Sequence, residues 1–212
     1  MDLGNIRKDY LKMRLEEKDL PLDPVTLFRQ WLEEARESNN PEPTALTLST
    51  VEKDGQPSSR IVLLKKIAEN RFIFFTNYNS RKASEIRGHL RVSALFFWPE
   101  LERQVKLSGI AKKIEDSESE KYFHSRPFES QIGAWASPQS TVIPDREYIE
   151  REFEKYRTQF RNINPIPRPP HWGGFAISPS RIEFWQGREA RLHDRIEYRK
   201  LNGVWRKFRL AP

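Results

Sequence analysis

The chain contains no cysteine, which removes a disulfide framework, a thiolate zinc site and a cysteine nucleophile together. It also has no apolar run near the roughly 20 residues that a membrane-spanning helix needs. The opening stretch, MDLGNIRKDYLKMRLEEKDL, lacks an apolar core of signal-peptide type, so a cytoplasmic location is expected. Glycine-rich nucleotide loops are missing: neither GxGxxG after a strand nor GxxxxGK[ST] occurs. No GxSxG marks a nucleophile elbow. The four histidines, His89, His124, His171 and His193, are dispersed without HExxH-like spacing, so no metal site is expected.

What is present is 212 residues, the length of one domain with a substantial core. Aromatic residues make up 12% of the chain, an abundance that argues against disorder. Lysine and arginine number 37 against 30 acidic residues, a net charge of +7. The excess gathers in residues 181–212, where nine basic side chains face four acidic ones. There the cations alternate with aromatics and acids (RIEFW, RIEYRK, VWRKFRL), a pattern of solvated strand faces more than of a nucleic-acid patch.

Local signals outline the elements. Residues 24–37 carry helical spacing, with Asp23 placed to cap and Pro24 at the first turn. Strands are expected at 44–51 and 58–66 around Asp54-Gly55, then at 71–76, 92–98 and 102–114. Ser80 can cap a short helix over 81–89. A helical stretch over 116–136 should break near Pro127, and 144–160 reads as a charged surface helix. Pro-rich residues 162–170 form an extended connector. Strands GGFAIS, RIEFWQ, RIEYRK and VWRKFRL close the chain. Hairpin spacing without regular strand–helix alternation argues for a mainly β protein, an antiparallel barrel with peripheral helices.

Four constellations carry possible chemistry, each with a plainer alternative. Arg60-Ile61-Val62-Leu63-Leu64-Lys65 places a cation at each end of a strand, on opposite faces. They serve two anions or merely snorkel from a core strand. Thr76 with Ser80-Arg81-Lys82, at a strand end entering a helix, makes a phosphate cradle or an ordinary cap. Tyr122, Arg126 and Ser130 share one helical face and suit one anion, unless Pro127 scatters them; Gln139-Ser140 follows as a further polar pair. Arg191, His193 and Arg195 alternate after the aromatic strand of Trp185. On one strand face they would hold an anionic ring, with His193 kept neutral by its arginine neighbours for an acceptor or base role, or His193 is a lone structural histidine.

The strings RIVLLK, TNYNSRKASEI, ERQVKLSG, YFHSRPFESQIGAWAS, WGGF, IEFWQG, RLHDR and RLAP together resemble the pyridoxamine 5′-phosphate oxidase family, over residues 7–212. The resemblance implies an FMN-binding split β-barrel of one domain (1–212), its residues 1–20 a flexible N-terminal segment. It implies a homodimer whose active sites draw on both subunits, with no nucleic-acid or membrane partner. The implied reaction oxidises pyridoxamine 5′-phosphate or pyridoxine 5′-phosphate to pyridoxal 5′-phosphate. Hydride passes from C4′ to flavin N5, O2 is the acceptor, H2O2 is released, and the amine also yields ammonia.

By the same resemblance FMN would meet Arg60, Ile61, Val62, Leu63, Leu64, Lys65, Phe75, Thr76, Arg81, Lys82, Gln104, Gln139, Ser140, Trp185 and Arg195. The substrate would meet Lys65, Tyr122, Arg126 and Ser130, with Arg7, Lys8, Asp9 and Tyr10 closing over it. Arg191, Leu192 and His193 would lie at the reacting carbon, Arg191 and His193 as the catalytic pair. Phe75, without a hydroxyl, implies a stacking or backbone contact. A flavin reductase of the same fold and a non-catalytic pyridoxal phosphate carrier are the alternatives.

Overall fold

In the computed structural model, residues 12–212 are described together with Met1 and Tyr10. Arg7, Lys8 and Asp9 lie outside the described residues. Nine strands form one antiparallel sheet: β1 (Ala45–Val51), β2 (Pro57–Leu63), β3 (Lys66–Ala68), β4 (Arg71–Asn77), β5 (Arg91–Trp98), β6 (Arg103–Lys113), β7 (Trp172–Gln186), β8 (Asp194–Leu201) and β9 (Val204–Leu210). The helices are α1 (Pro24–Glu37), α2 (Arg81–Gly88), α3 (Asp116–His124), α4 (Phe128–Ala136) and α5 (Arg146–Phe160). The architecture is the expected mainly β split barrel with helices outside it.

The sheet runs β2-β1-β5-β6-β7-β4-β3, and β8 with β9 extends from β7. One edge of β7 pairs with β6 along nearly its whole length. The other edge is shared: Trp172–Ile177 pair with β4, and Arg181–Gln186 with β8. Between the two, the β6–β7 register shifts at Ser108/Gly109. Only glycine fits at 109, since a Cβ would lie 2.2 Å from the Ser178 carbonyl oxygen. The GGFAIS and RIEFWQ segments are therefore one bent strand, not two.

The expected strand 58–66 also divides differently. After β2 the Leu64 N–H donates to the Thr44 carbonyl (2.9 Å) and the Lys65 N–H to the Ile73 carbonyl (2.9 Å). The chain thus hops from β1 to β4. Leu64 enters the core and Lys65 emerges at the surface. Two tight turns hold left-handed residues, Glu69-Asn70 (φ 50° and 60°) and Asn202-Gly203 (φ 49° and 83°). Their two-residue loops match the twist of the flanking strands.

The apolar stripe of α1 covers the sheet. Phe28 is fully buried, with ring centroids 4.8 Å from Phe72 and 4.9 Å from Phe96, and Trp31 meets Phe184 at 5.1 Å. Asp23 accepts from the Val25 N–H at 3.2 Å, capping the helix as its sequence requires. Burying one such phenylalanine stabilises the fold by about 1.5–3 kcal/mol. A smaller core of Phe123, Ile132, Phe160, Ile166 and Trp172 seats the helical layer of α3, α4 and α5 at the β7 N-terminus. Residues 12–20 are docked against the C-terminal strands: Leu15 is buried, and Lys207 and Arg209 bond Glu17.

Candidate functional site

The hop at Leu64, the end of β4 and the break at Pro127 converge on one cavity of about 460 Å³. Pro127 ends α3 and starts α4, as expected, yet Tyr122, Arg126 and Ser130 all line this space. Lys65, Phe75, Thr76, Lys82 and Gln139 join them, with Ile61, Val62 and Leu63 of β2 as a further wall.

At one side of the cavity the Lys82 Nζ donates to Gln139 Oε1 (2.8 Å), Thr76 Oγ1 (3.1 Å) and Ser80 Oγ (3.2 Å). These partners are neutral. Burial, then the nearby Arg60 charge, pulls Lys82 down to about 8, with Glu85 partly offsetting them. A half-buried ammonium served only by neutral oxygens is a fitting counter-charge for a phosphate. Ser80 stands at the α2 N-cap position, but its hydroxyl donates to the Asn77 carbonyl (2.7 Å) instead of capping.

At the other side Tyr122, Phe75 and Trp172 stack as a flat wall. Phe75–Tyr122 centroids are 3.9 Å apart at 21°, and Phe75–Trp172 5.5 Å at 10°. Phe75 thus stacks on other rings of the chain itself. The Arg126 guanidinium lies 4.6 Å over the Trp172 ring, and its Nη1 is buried without a hydrogen-bond partner. Burial lowers the pKa of Arg126 and raises that of Tyr122, leaving the phenol a neutral donor. An unsatisfied buried guanidinium is costly, by about 1–3 kcal/mol or more. An anion bound between Arg126, Tyr122, Ser130 and Lys65 would relieve that cost.

The remaining candidates lie elsewhere. The Arg60 side chain leaves the cavity and pairs with the buried Glu85 carboxylate (3.0 Å), Ser58 Oγ (2.5 Å) and Thr50. It acts on the cavity through its charge on Lys82. Arg81 lines a neighbouring groove with Asp54, Ser84 and His89, and Ser140 is exposed just beyond Gln139.

A second cluster forms where β7 ends. Gln104, Trp185 and Arg195 occupy one row across β6, β7 and β8. The exposed Phe97 of β5 continues it. Arg195 donates to the buried Glu183 (2.8 Å) and to the Ala211 carbonyl (2.9 Å), which ties down the chain terminus. Burial alone would raise Glu183, but hydrogen bonds from Lys106 and Arg195 hold its carboxyl below the usual range. The ring of His193 packs on Trp185 at 4.6 Å, and Tyr10 meets both edge-on at 5.7 Å.

Arg191, His193 and Arg195 do not share a strand face, contrary to the alternation expected. Residues 189–191 form a 3-10 turn in which Ala190 and Arg191 have φ of 51° and 61°, and β8 starts only at Asp194. Such left-handed backbone at non-glycine residues collects at functional sites. Leu192 and Arg191 are exposed. The backbone N–H of Arg188 donates to His193 Nδ1 (3.1 Å), so the neutral ring carries its proton on Nε2. Burial and then Arg191 lower the His193 pKa, which keeps it neutral as expected. In this tautomer it is a donor and not a base.

Four contributors escaped the sequence reading as individual residues. Glu85 holds Arg60 from 25 positions away, with nothing local to signal it. Trp172 was visible only as part of WGGF. Asp194 accepts from Leu15 N–H (3.2 Å), Arg188 (3.3 Å) and Arg209 (2.8 Å), joining the N-terminal stretch to the His193 loop. Gly187 underlies the Tyr10 ring.

The two clusters sit at opposite ends of the bent β7, one at Trp172 and the other at Trp185. None of Gln104, Trp185, His193 or Arg195 lines the cavity. Among the described residues there is no cluster suited to a metal ion, and no helix is long and apolar enough to cross a membrane.

The family model described as pyridoxamine 5′-phosphate oxidase matches residues 32–160. One described as a pyridoxine 5′-phosphate oxidase C-terminal dimerisation region matches residues 172–212. A pyridoxine/pyridoxamine 5′-phosphate oxidase of Leptospira interrogans is 52% identical over 99% of this chain and 98% of its own length. That of Ralstonia pickettii is 49% identical over 99% of both. A crystal structure of PhzG from Burkholderia lata, in complex with tetrahydrophenazine-1-carboxylic acid, superposes with a TM-score of 0.90. Its identity is 32%, over 97% of this chain and all of that one. A pyridoxamine 5′-phosphate oxidase-related, FMN-binding protein from Nostoc punctiforme shares the fold (TM-score 0.70, 18% identity, 88% of this chain and 96% of that one).

Proposed function

The chain belongs to the pyridoxamine 5′-phosphate oxidase family, and from that premise we propose its reaction. It oxidises pyridoxamine 5′-phosphate and pyridoxine 5′-phosphate to pyridoxal 5′-phosphate, with O2 as acceptor and release of H2O2, plus ammonia from the amine. FMN, one per subunit, is the cofactor, and when bound it supplies the hydride acceptor for substrate C4′ and the site of reoxidation by O2. A cytoplasmic location belongs to the same reading.

The observation that carries the proposal is the buried, unpartnered Arg126 Nη1 beside the Tyr122 phenol and Ser130. It fits a substrate with a phosphate of its own. Lys82, Thr76 and Gln139 at the other side suit the phosphate of the flavin, so the cavity has donors for two anions. The Arg60 charge acts on Lys82 from outside the cavity, and Val62 and Leu63 of β2 form a wall of it. A flavin reductase has no use for the second set. A phosphate-free ring acid of the PhzG type would leave less charge opposite Arg126.

The second cluster fits the flavin ring and the reacting carbon. Gln104, Trp185 and Arg195 present a donor row beside a flat aromatic surface. Arg191 stabilises charge, and His193 donates from Nε2 to orient the substrate ring. None of this cluster's residues lines the cavity, and Trp185, Arg191, His193 and Arg195 lie inside the segment matched by the dimerisation-region model. A homodimer brings the row of one subunit to the cavity of the other, and exposed Ile61 (63%), Phe97 (54%) and Leu192 (69%) offer apolar contact area.

Purified protein should bind FMN, turn yellow and form H2O2 when given pyridoxamine 5′-phosphate. Protein that stays colourless and inactive after FMN is added defeats the proposal. A carrier would bind pyridoxal 5′-phosphate without consuming O2.

A further inference from the structure

Gly187 follows the last residue of β7, and its backbone conformation is one that any residue can adopt. Its N–H donates to the Glu102 carbonyl at 2.8 Å, a bond any residue except proline would make. What excludes a side chain is Tyr10. A Cβ on residue 187 would lie 2.7 Å from Tyr10 Cγ and 2.8 Å from both Tyr10 Cβ and Cδ1. These atoms are the root of the tyrosine and not its mobile tip, so rotating the ring does not clear them. The backbone at Tyr10 would have to move.

That backbone is held from the C-terminal side. The Lys12 N–H donates to Glu102 Oε2 (3.2 Å), and Leu15 is fixed by Asp194 and by Arg209, which donates to its carbonyl at 2.8 Å. Tyr10 is thereby delivered to a seat floored by Gly187, with Trp185 and His193 each at 5.7 Å edge-on.

We infer that Gly187 is a positioning residue for the proposed reaction: its missing side chain is the seat that lets Tyr10 close against His193 and Trp185. The inference rests on the oxidase reading for its catalytic meaning, whereas the seat itself does not. Edge-on aromatic contacts are modest individually but directional, so displacing the ring removes both and opens the His193 face.

The experiment compares Gly187→Ala, Tyr10→Gly and the double variant, each loaded with FMN. Without substrate, trypsin cleavage at Lys12 and Arg14 should accelerate in Gly187→Ala to the rate seen in Tyr10→Gly. With pyridoxamine 5′-phosphate, KM should rise by about 5–150-fold in Gly187→Ala, the loss of two aromatic contacts, while FMN affinity stays unchanged. The double variant should match Tyr10→Gly within about twofold, because the clash has gone with the ring. A residue with a merely structural role would weaken both backgrounds equally and shift the melting temperature. Cleavage at the wild-type rate in Gly187→Ala, or a further rise of KM in the Tyr10→Gly background, overturns the inference. If no variant oxidises the substrate, the oxidase reading fails, and the protease comparison still decides the seat.

Discussion

The two ends of β7 solve opposite problems. At the Trp172 end, cations are gathered with too few anions: Arg126 has a buried, unpartnered nitrogen, and Lys82 is depressed to about 8 among neutral oxygens. At the Trp185 end, charges are already matched, with Arg195 on Glu183 and Arg188 and Arg209 on Asp194. The first end is built to receive charge from outside the chain. The second is built to hold a surface of rings and donors rigid. Within one chain the second end does not line the cavity of the first, and the proposed dimer is what would join them.

The largest expected effect breaks or keeps that separation outright. Arg126→Ala and Arg191→Ala homodimers should each be nearly inactive with pyridoxamine 5′-phosphate at low concentration. After mixing and subunit exchange, half of the dimers are mixed and each has one intact site, so about a quarter of wild-type activity should return. No recovery would place both ends in one subunit's site.

Next in size is the loss of the substrate anion's partner. Arg126→Met should raise KM for pyridoxamine 5′-phosphate by roughly 10–150-fold, the worth of a charge-assisted hydrogen bond, and leave FMN affinity alone. Arg191→Ala should instead lower kcat with FMN still bound, as turnover per bound flavin would show.

The pH dependence sharpens the contrast further. Lys82 loses its charge as pH rises through about 8, so FMN affinity should fall above that pH, and Lys82→Met should abolish the decline. FMN binding by fluorescence quenching checks this. At the other end His193 is neutral in the fold, with a pKa below its ordinary 6.5. Its contribution is present above that value and is lost as pH falls, when protonation of Nδ1 displaces the Arg188 N–H. Substrate KM should therefore rise toward acid pH while FMN affinity holds. The smallest effect is on the tether: Asp194→Asn should loosen the 12–20 stretch and cost about 1 kcal/mol, read as a small drop in melting temperature.

Much of this was legible in sequence where the decisive contacts are local. Asp23 and Pro24 announce α1, Pro127 announces the break between α3 and α4, and Tyr122, Arg126 and Ser130 still line one cavity across that break. The alternation argument failed at Arg191, where a 3-10 turn with left-handed residues replaces the strand. It also treated residues 58–66 as one strand, because nothing in RIVLLKK marks the hop to β4. The motif strings named residues that fall in two separate clusters, and nothing in the strings marks that grouping.

The sequence by itself determined the element types, the antiparallel class and the small groups of cations and hydroxyls suited to anions, since propensity, period and charge act over a few residues. Tertiary structure alone decided that Arg60 turns to Glu85, that Lys65 and Arg126 meet in one cavity, and that Tyr10 rests on Gly187. Those contacts join positions 25 to 177 residues apart, and their energy arises only once β7 has ordered the elements at its two ends.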